Sequence, residues 1–401
     1  LRFYSHFSSL FKDKKWQPKG VPAVYKLIEK LNKHNIETDV VFISYNYHDV
    51  VKNYKKLKIK ELKNINFYLF PYVKPILPGL TYLKLRHLFR FYNLTRCSNF
   101  DLIYCDRVNV EYGGIFSRIG YKVILRLHGV AFLNSTIKPL KKSFFPSLEY
   151  YLGYKSPFSS VICSIDGSPC KDFIQSKMKK NIKSYHLLNG VDECKKTQPI
   201  INIRERYNLD SSTKVILSVG RISFDKSPQL LLESLIKLKK INYNFFAIFV
   251  GSGPLLNEMQ NVVIEKNLQK NIIFIGSLPH KEIDSFLLQS DIFVSLNLCG
   301  NLSNAVLEAI NYEKCIIKLD FDKITKRDEH LTDEKIRESF VLIKKEDIYS
   351  SLHLKIDKIM NNKDILNSKI NKIKILKEKY LNTWDDRIDK ELSIINETVK
   401  T

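Results

Sequence analysis

Apolar residues recur along the chain in two different periods. Short runs rich in β-branched and aromatic residues, at Thr38–Ser44, Asp101–Tyr104, Val123–Leu127, Val161–Ile165, Tyr185–Leu188, Val215–Val219, Phe245–Val250, Ile272–Ile275, Asp291–Leu296 and Cys315–Leu319, read as buried strands. A weaker run at Arg2–Phe7 is a further candidate, and Lys12–Lys19 reads as a polar loop. Between the runs the spacing changes to that of helices. Val24, Leu27, Ile28 and Leu31 follow Pro22 at i, i+3, i+4, i+7 and predict a helix to about Lys33. Leu231, Leu235 and Leu238 mark another, and Ala305–Ile310 continues a turn at Gly300–Asn304 as a helix. The last hundred residues are lysine-rich and mostly helical, without Gly or Pro after Gly300. Strands alternating with helices predict an α/β chain of doubly wound parallel sheets.

With 401 residues the chain is too long for one core and suggests two domains. The polar segment 193–213 is the natural connection, giving domains 1–195 and 196–375 and a final helical stretch 376–401. Hydrophobic and aromatic contents of 44% and 12% are those of a globular protein rather than a disordered one. A net charge of +23, carried mostly by Lys, implies attraction to polyanions: nucleic acid, an anionic membrane or phosphorylated ligands. With no Arg-rich arm, zinc-finger spacing or RNP-like aromatics, nucleic acid ranks below the others. The seven cysteines are scattered and form no CxxC pair, which fits a reduced cytosolic compartment. No stretch has the length of a spanning helix and no signal peptide is visible; the chain starts without Met, so a short N-terminal piece is expected to precede it.

The chemistry gathers at strand ends. Gly20, between a strand and a helix, allows close backbone approach to a phosphate or sugar, although a simple turn explains a lone glycine as well. Val123–Leu127 delivers His128-Gly129 to the carboxyl end of a strand, where open α/β sheets place ligands; a structural histidine is the plainer reading. Three strands in the second half end in glycine, at Gly220, Gly251 and Gly276. The turn Gly300–Asn304 leads into a helix whose first amides are open to an anion, with Glu308 one turn inside. In the first half, Tyr82–Tyr92 is basic and aromatic together, with Leu85, Leu88, Phe89 and Tyr92 on one face beside Lys84, Arg86 and Arg90. A core helix with snorkelling bases is the leading reading; a helix on an anionic bilayer is the alternative.

Four motifs in order carry a resemblance. They are Asn-Gly-Val-Asp at 189–192, Val-Gly-Arg at 219–221 with Lys226 five residues on, Val-Gly-Ser-Gly-Pro at 250–254, and Leu-Ser-Asn-Ala-Val-Leu-Glu-Ala at 302–309. Over about 160–320, and less closely over 101–130, the chain resembles the retaining glycosyltransferases of the GT-B fold, family 4 (glycosyl transferases group 1). Trp384 stands where that family often has a tryptophan before its final helix. The resemblance implies two Rossmann-like domains facing a cleft, with the last helix crossing back to the first.

It also implies roles. Arg221 and Lys226 would neutralise the donor diphosphate, with Gly220, Gly251 and Gly253 in the surrounding loops. Leu302, Ser303 and Asn304 would hold sugar and phosphate, Glu308 the ribose, and Ser277 and Leu278 the base. Gly20 would close on the phosphates, His128 would line the cleft at the reacting carbon, and Asp106 and Arg107 would face the acceptor. The family's first glutamate is Gly300 here and Asn301 replaces the glycine that usually follows it, so the donor sugar is held differently, through Asn301, or competence is lost. The implied activity is transfer from a nucleotide-diphosphate sugar to a glycan or lipid-linked acceptor, in cell-surface polysaccharide synthesis. It needs no metal or other cofactor and would run in the cytoplasm, at the inner membrane face if peripheral. A sugar-nucleotide epimerase of the same fold and an inactive nucleotide-binding subunit are the alternatives.

Overall fold

The structure, a computed structural model, describes residues 7–18, 20–44, 55–71, 85–130, 153–194, 201–241 and 244–401. The chain forms two compact units: Leu1–Ile165 with Cys170–Asn189 and Trp384–Thr401, and Asp166–Pro169 with Gly190–Thr383. The changeover at Asn189/Gly190 precedes the polar connection read from the sequence. Residues 201–213 belong to the second unit, where Ile203 is fully buried and its amide donates to the Gln289 side chain at 2.9 Å. The chain returns to the first unit at Trp384 rather than at residue 376.

In the first unit, strands β1 (Thr38–Ile43), β2 (Lys55–Leu57) and β3 (Ile65–Phe70) form one sheet in the order β1-β3-β2, with β1 parallel and β2 antiparallel to β3. Strands β4 (Ile103–Asp106), β5 (Val123–Leu127), β6 (Ser160–Ile165) and β7 (Lys183–Leu188) form a parallel sheet in chain order. The exposed lysines of β2 blunt a sheet edge, a composition that hides a strand from a hydrophobicity reading. Helix Pro22–Lys33 buries Val24, Leu27, Ile28 and Leu31, as its spacing requires. Part of the expected loop Lys12–Lys19 is instead helix Ser8–Asp13, because Phe7, Leu10 and Phe11 are buried in the same core. The strand read at Arg2–Phe7 lies, except for Phe7, outside the described residues.

The last helix, Trp384–Lys400, adds Ile388 and Leu392 to that core and carries the fully buried Glu391. Glu391 accepts from Arg126 of β5 at 2.8 Å and from Arg387 and the Tyr104 hydroxyl. Helix Leu85–Cys97 divides the face read from its sequence: Leu88 packs inward with Phe91, while Leu85, Phe89 and Tyr92 stay 53%, 65% and 46% exposed. Tyr82–Lys84 lie outside the described residues. Cys163 and Cys170 form a disulfide, which corrects the reading of all seven cysteines as reduced. One lies within β6 and the other starts a helix, with Cα atoms 6.7 Å apart, so sequence spacing alone gave no warning.

The second unit is one parallel sheet of β8 (Lys214–Val219), β9 (Phe245–Val250), β10 (Ile272–Gly276), β11 (Ile292–Ser295), β12 (Cys315–Leu319) and β13 (Val341–Ile343), in the order β10-β9-β8-β11-β12-β13. β9 is buried at every position, the mark of a strand covered on both faces. Helix Pro228–Lys240 begins with Pro, buries Leu231, Leu235 and Leu238, and ends in lysines that suit the negative end of its dipole. The strand order reverses between β8 and β11. Ligands of such sheets bind outside the carboxyl ends of the strands at that point.

Candidate functional site

The loops leaving β8 and β11 therefore define the site in the second unit. β8 runs into Gly220, and the loops beside it are held backbone to backbone. A Cβ on Gly251 would lie 1.8 Å from the Gly220 carbonyl oxygen, and one on Gly253 2.3 Å from that of Ile222. Gly251 and Gly253 are thus required by packing between loops, whatever they also do for a ligand. Ser252 and Ser277 hydroxyls meet at 2.9 Å, so the loops after β9 and β10 form one rim, with Ser277 exposed and Leu278 half-buried.

Arg221 and Lys226 stand on the loop after β8. The Arg221 side chain is 69% exposed and reaches Asp225 at 3.3 Å, while Ser223 fixes the other Asp225 oxygen at 2.6 Å. The Lys226 ammonium makes no hydrogen bond or ion pair among the described residues. Burial lowers its pKa, Asp225 opposes that shift and Arg221 adds to it. Ser227 is left-handed at φ 51° directly before Pro228, an unusual geometry at a functional loop. Two cations on one loop at the switch point have the chemistry to attract a polyanion.

The β11 loop meets this one: the Leu298 amide donates to the Asp225 carbonyl at 2.9 Å. Asn301 is fully buried. Its side chain donates to the Asn297 carbonyl at 3.0 Å and accepts from Ser295 at 2.8 Å and the Asn297 amide at 3.1 Å. The expectation that Asn301 holds a sugar through its side chain is corrected, since that side chain braces the loop from within. Gly300 sits at φ 136°, and a Cβ there would lie 2.7 Å from the Asp166 carbonyl oxygen, Gly167 C and Ser168 N. Ser303 takes the N-cap position of helix Asn304–Asn311 without a side-chain capping bond, and the half-buried Glu308 lies one turn in; Leu302, buried, donates its amide to the Asp166 carbonyl at 3.1 Å. The first helix bonds run from the Val306 and Leu307 amides to the Ser303 carbonyl at 2.9 and 3.0 Å, and the amides ahead of them lie before the first bonded turn.

Sequence reasoning missed Asp166, Gly167, Lys318 and Asp328. Asp-Gly after a strand marks a turn but no partner, whereas a lysine inside the apolar run Cys315–Leu319 was a signal available to read. Lys318 is fully buried.

In the first unit the structure joins His128 to Asp106 and Arg107. His128 Nε2 lies 3.4 Å from Asp106 Oδ1, and Arg107 donates to the Gly129 carbonyl. Burial, then Arg126 and Arg107, push the His128 pKa well below its usual value, so the imidazole is neutral. Burial raises that of Asp106. Asp106 is only 3% exposed, so the expectation that it faces an acceptor is corrected; it and Arg107 hold the His128–Gly129 turn. Gly20 is exposed at φ 72°, followed by left-handed Val21 and then Pro22. Arg126 ties that helix start to β5 through the Ala23 carbonyl at 3.0 Å.

These two α/β units, the second with charged loops at its switch point, define a GT-B glycosyltransferase fold. The HepE protein of Anabaena, solved in complex with UDP, superposes with a TM-score of 0.67 over 95% of this chain and 98% of its own at 15% identity. Residues 199–375 match the model of the glycosyl transferases group 1. An uncharacterized glycosyltransferase of Methanocaldococcus jannaschii is 26% identical over 191 residues, 47% of this chain and 46% of that protein. The alpha-monoglucosyldiacylglycerol synthase of Streptococcus pneumoniae is 24% identical over 173 residues, 41% of this chain and 38% of that protein. The matched stretch spans less than half the length of either curated relative.

Proposed function

We propose that the protein is a retaining glycosyltransferase of the family 4 type, moving a sugar from a nucleotide diphosphate to a glycan or lipid-linked acceptor. The observation that carries this reading is the meeting of Arg221 and Lys226 with the β11 loop at the reversal of strand order. As the anomeric C–O bond breaks, negative charge collects on the departing diphosphate. Fixed cations beside it stabilise that charge more in the transition state than before it. On this reading Glu308 accepts from the ribose, the amides at the start of helix Asn304–Asn311 take phosphate and sugar oxygens, and Ser277 and Leu278 lie at the base. Gly20 approaches the phosphates and neutral His128 takes the acceptor side. Two cations suffice at the diphosphate, so the reading requires no metal.

The relatives support the donor and acceptor classes: one solved neighbour carries UDP, and one relative is named for a glucosylated diacylglycerol. Among the described residues no helix is long and apolar enough to cross a membrane. The exposed Leu85, Phe89 and Tyr92 beside Arg86 supply a peripheral contact for a lipid-linked acceptor. We place the reaction on the cytoplasmic side, in cell-surface polysaccharide synthesis.

A second reading, an inactive nucleotide-binding subunit, draws on the closed space at Gly300. The test is incubation with a panel of nucleotide sugars while following nucleotide release. Slow release with one donor, lost in Lys226→Ala, supports transfer. Binding without release supports the inactive subunit, and interconversion of the donor to its epimer replaces transfer with epimerisation.

A further inference from the structure

Beneath the β11 loop lies a buried charged cluster that the donor reading does not use. We propose that Lys318 and Asp328 are positioning residues that fix the backbone at Asn301–Ser303 where the donor sugar and phosphate bind, in a chain whose Gly300 supplies no carboxylate there. This rests on the donor reading above for its function, but not for its geometry.

The two side chains grip one residue from both ends. Asp328 Oδ1 accepts the Asn301 amide at 2.7 Å, and Lys318 Nζ donates to the Asn301 carbonyl at 2.6 Å. The ammonium and carboxylate are 3.6 Å apart, and neither side chain is exposed, so neither touches substrate. Arg327 donates to the Asn297 carbonyl at 3.3 Å and to the Asp320 carbonyl at 3.2 Å, adding a second hold on the same loop. The Asp328 amide donates to the Gly167 carbonyl at 2.7 Å, and thereby seats the segment against which Gly300 packs.

The groups facing Lys318 are Asp328, Arg327, Asp320, His330, with Nε2 at 3.0 Å, and the Phe340 ring, whose centroid is 4.9 Å away. Burial pushes the Lys318 pKa down to about 8 and raises that of Asp328. Such a pair is a poor device for stability alone, because well-packed apolar residues commonly do as well or better. What it supplies is direction: two opposite charges oriented on the two polar groups of one residue.

The test uses the full chain and three variants, Lys318→Met, Asp328→Asn and the two combined. The combined variant removes both charges of the pair, leaving Arg327, 3.7 Å from Asp328, to its two carbonyl acceptors, and Asp328→Asn keeps an acceptor for the Asn301 amide. Hydrogen exchange is read over Ser295–Leu307, beside affinity for UDP, GDP and ADP and turnover of the donor sugar. The combined variant should keep its cooperative unfolding and its affinity within about threefold, exchange faster in the loop, and lose about a hundredfold in turnover, the scale of a misplacement near 1 Å. Asp328→Asn alone should move both readings the same way by less. Wild-type exchange in the combined variant overturns the positioning role, as does faster exchange with unchanged turnover. If the wild type binds none of the three nucleotides, the donor reading fails while the exchange still decides what holds the loop.

Discussion

Gly300 and Gly167 lie backbone against backbone, each at positive φ and each with no room for a side chain. A Cβ on Gly167 would stand 2.4 Å from Asp328 Oδ1 and 2.6 Å from the Asn301 amide, as one on Gly300 would stand 2.7 Å from Gly167 C. The position where the family's first glutamate is expected is therefore filled by the protein's own chain. Gly300→Ala should lower unfolding free energy by about 3 kcal/mol, combining overpacking with left-handed strain. Gly120, at φ 98° with nothing near its Cβ, is the control; Gly120→Ala should cost about 1 kcal/mol, from strain alone. Equal losses in denaturant titrations would mean that the close approach carries no weight.

Glu391 serves Arg126, Arg387 and Tyr104 with none of the carboxylate or guanidinium groups reaching solvent. Glu391→Ala orphans two buried guanidinium groups and should cost about 3–5 kcal/mol. On the same helix Asp389, 54% exposed, pairs with Lys30 at 2.8 Å. Asp389→Ala should cost less than about 1 kcal/mol. Thermal unfolding of the two variants side by side checks the difference, and similar midpoints would contradict the network's role.

Lys226 gives a pH signature. Its pKa is lowered chiefly by burial, so its charge is lost at lower pH than an ordinary lysine's, and donor binding should weaken as pH rises through that lowered value. The free-enzyme profile of kcat/KM should then fall on its alkaline side. Lys226→Arg, which stays charged throughout, should shift that limb to higher pH whatever its absolute rate. An identical limb in both proteins would assign it to another group.

The second unit was more legible in the sequence than the first, for a physical reason. β9 and β12 are buried at every position and β11 at three of four, and these strands read as apolar runs ending in turn chemistry. β2, with two exposed lysines, and the three-residue β13 offered no such pattern. The same logic divides the site. Arg221, Lys226 and Glu308 stand within the short motifs that carry the family resemblance, each on one loop or helix. The embrace of Asn301 by Lys318 and Asp328, and of Gly300 by Gly167, joins segments far apart in sequence, and no local pattern encodes such a meeting. Asp106 was placed toward the acceptor by the resemblance alone, and its burial is not visible in the sequence.

The exposed stripe of Leu85, Phe89 and Tyr92 makes membrane binding testable. Vesicles rich in anionic lipid should retain the protein at low salt and release it as salt rises. Phe89→Glu should abolish retention without lowering the unfolding temperature, since that ring is 65% exposed. Equal retention of the variant would remove the stripe from the membrane reading.

Calorimetry with nucleoside diphosphates tests the central claim, that the reversal of strand order between β8 and β11 binds the nucleotide of the donor. One of UDP, GDP or ADP should bind the wild type. Glu308→Ala should weaken it about ten- to a hundredfold, the effect of losing a charged hydrogen-bond partner. His128→Ala, in the other unit, should keep most of the affinity and lose turnover, as an interaction made chiefly in the transition state does. Undiminished binding to Glu308→Ala, or an equal loss in His128→Ala, would contradict the account.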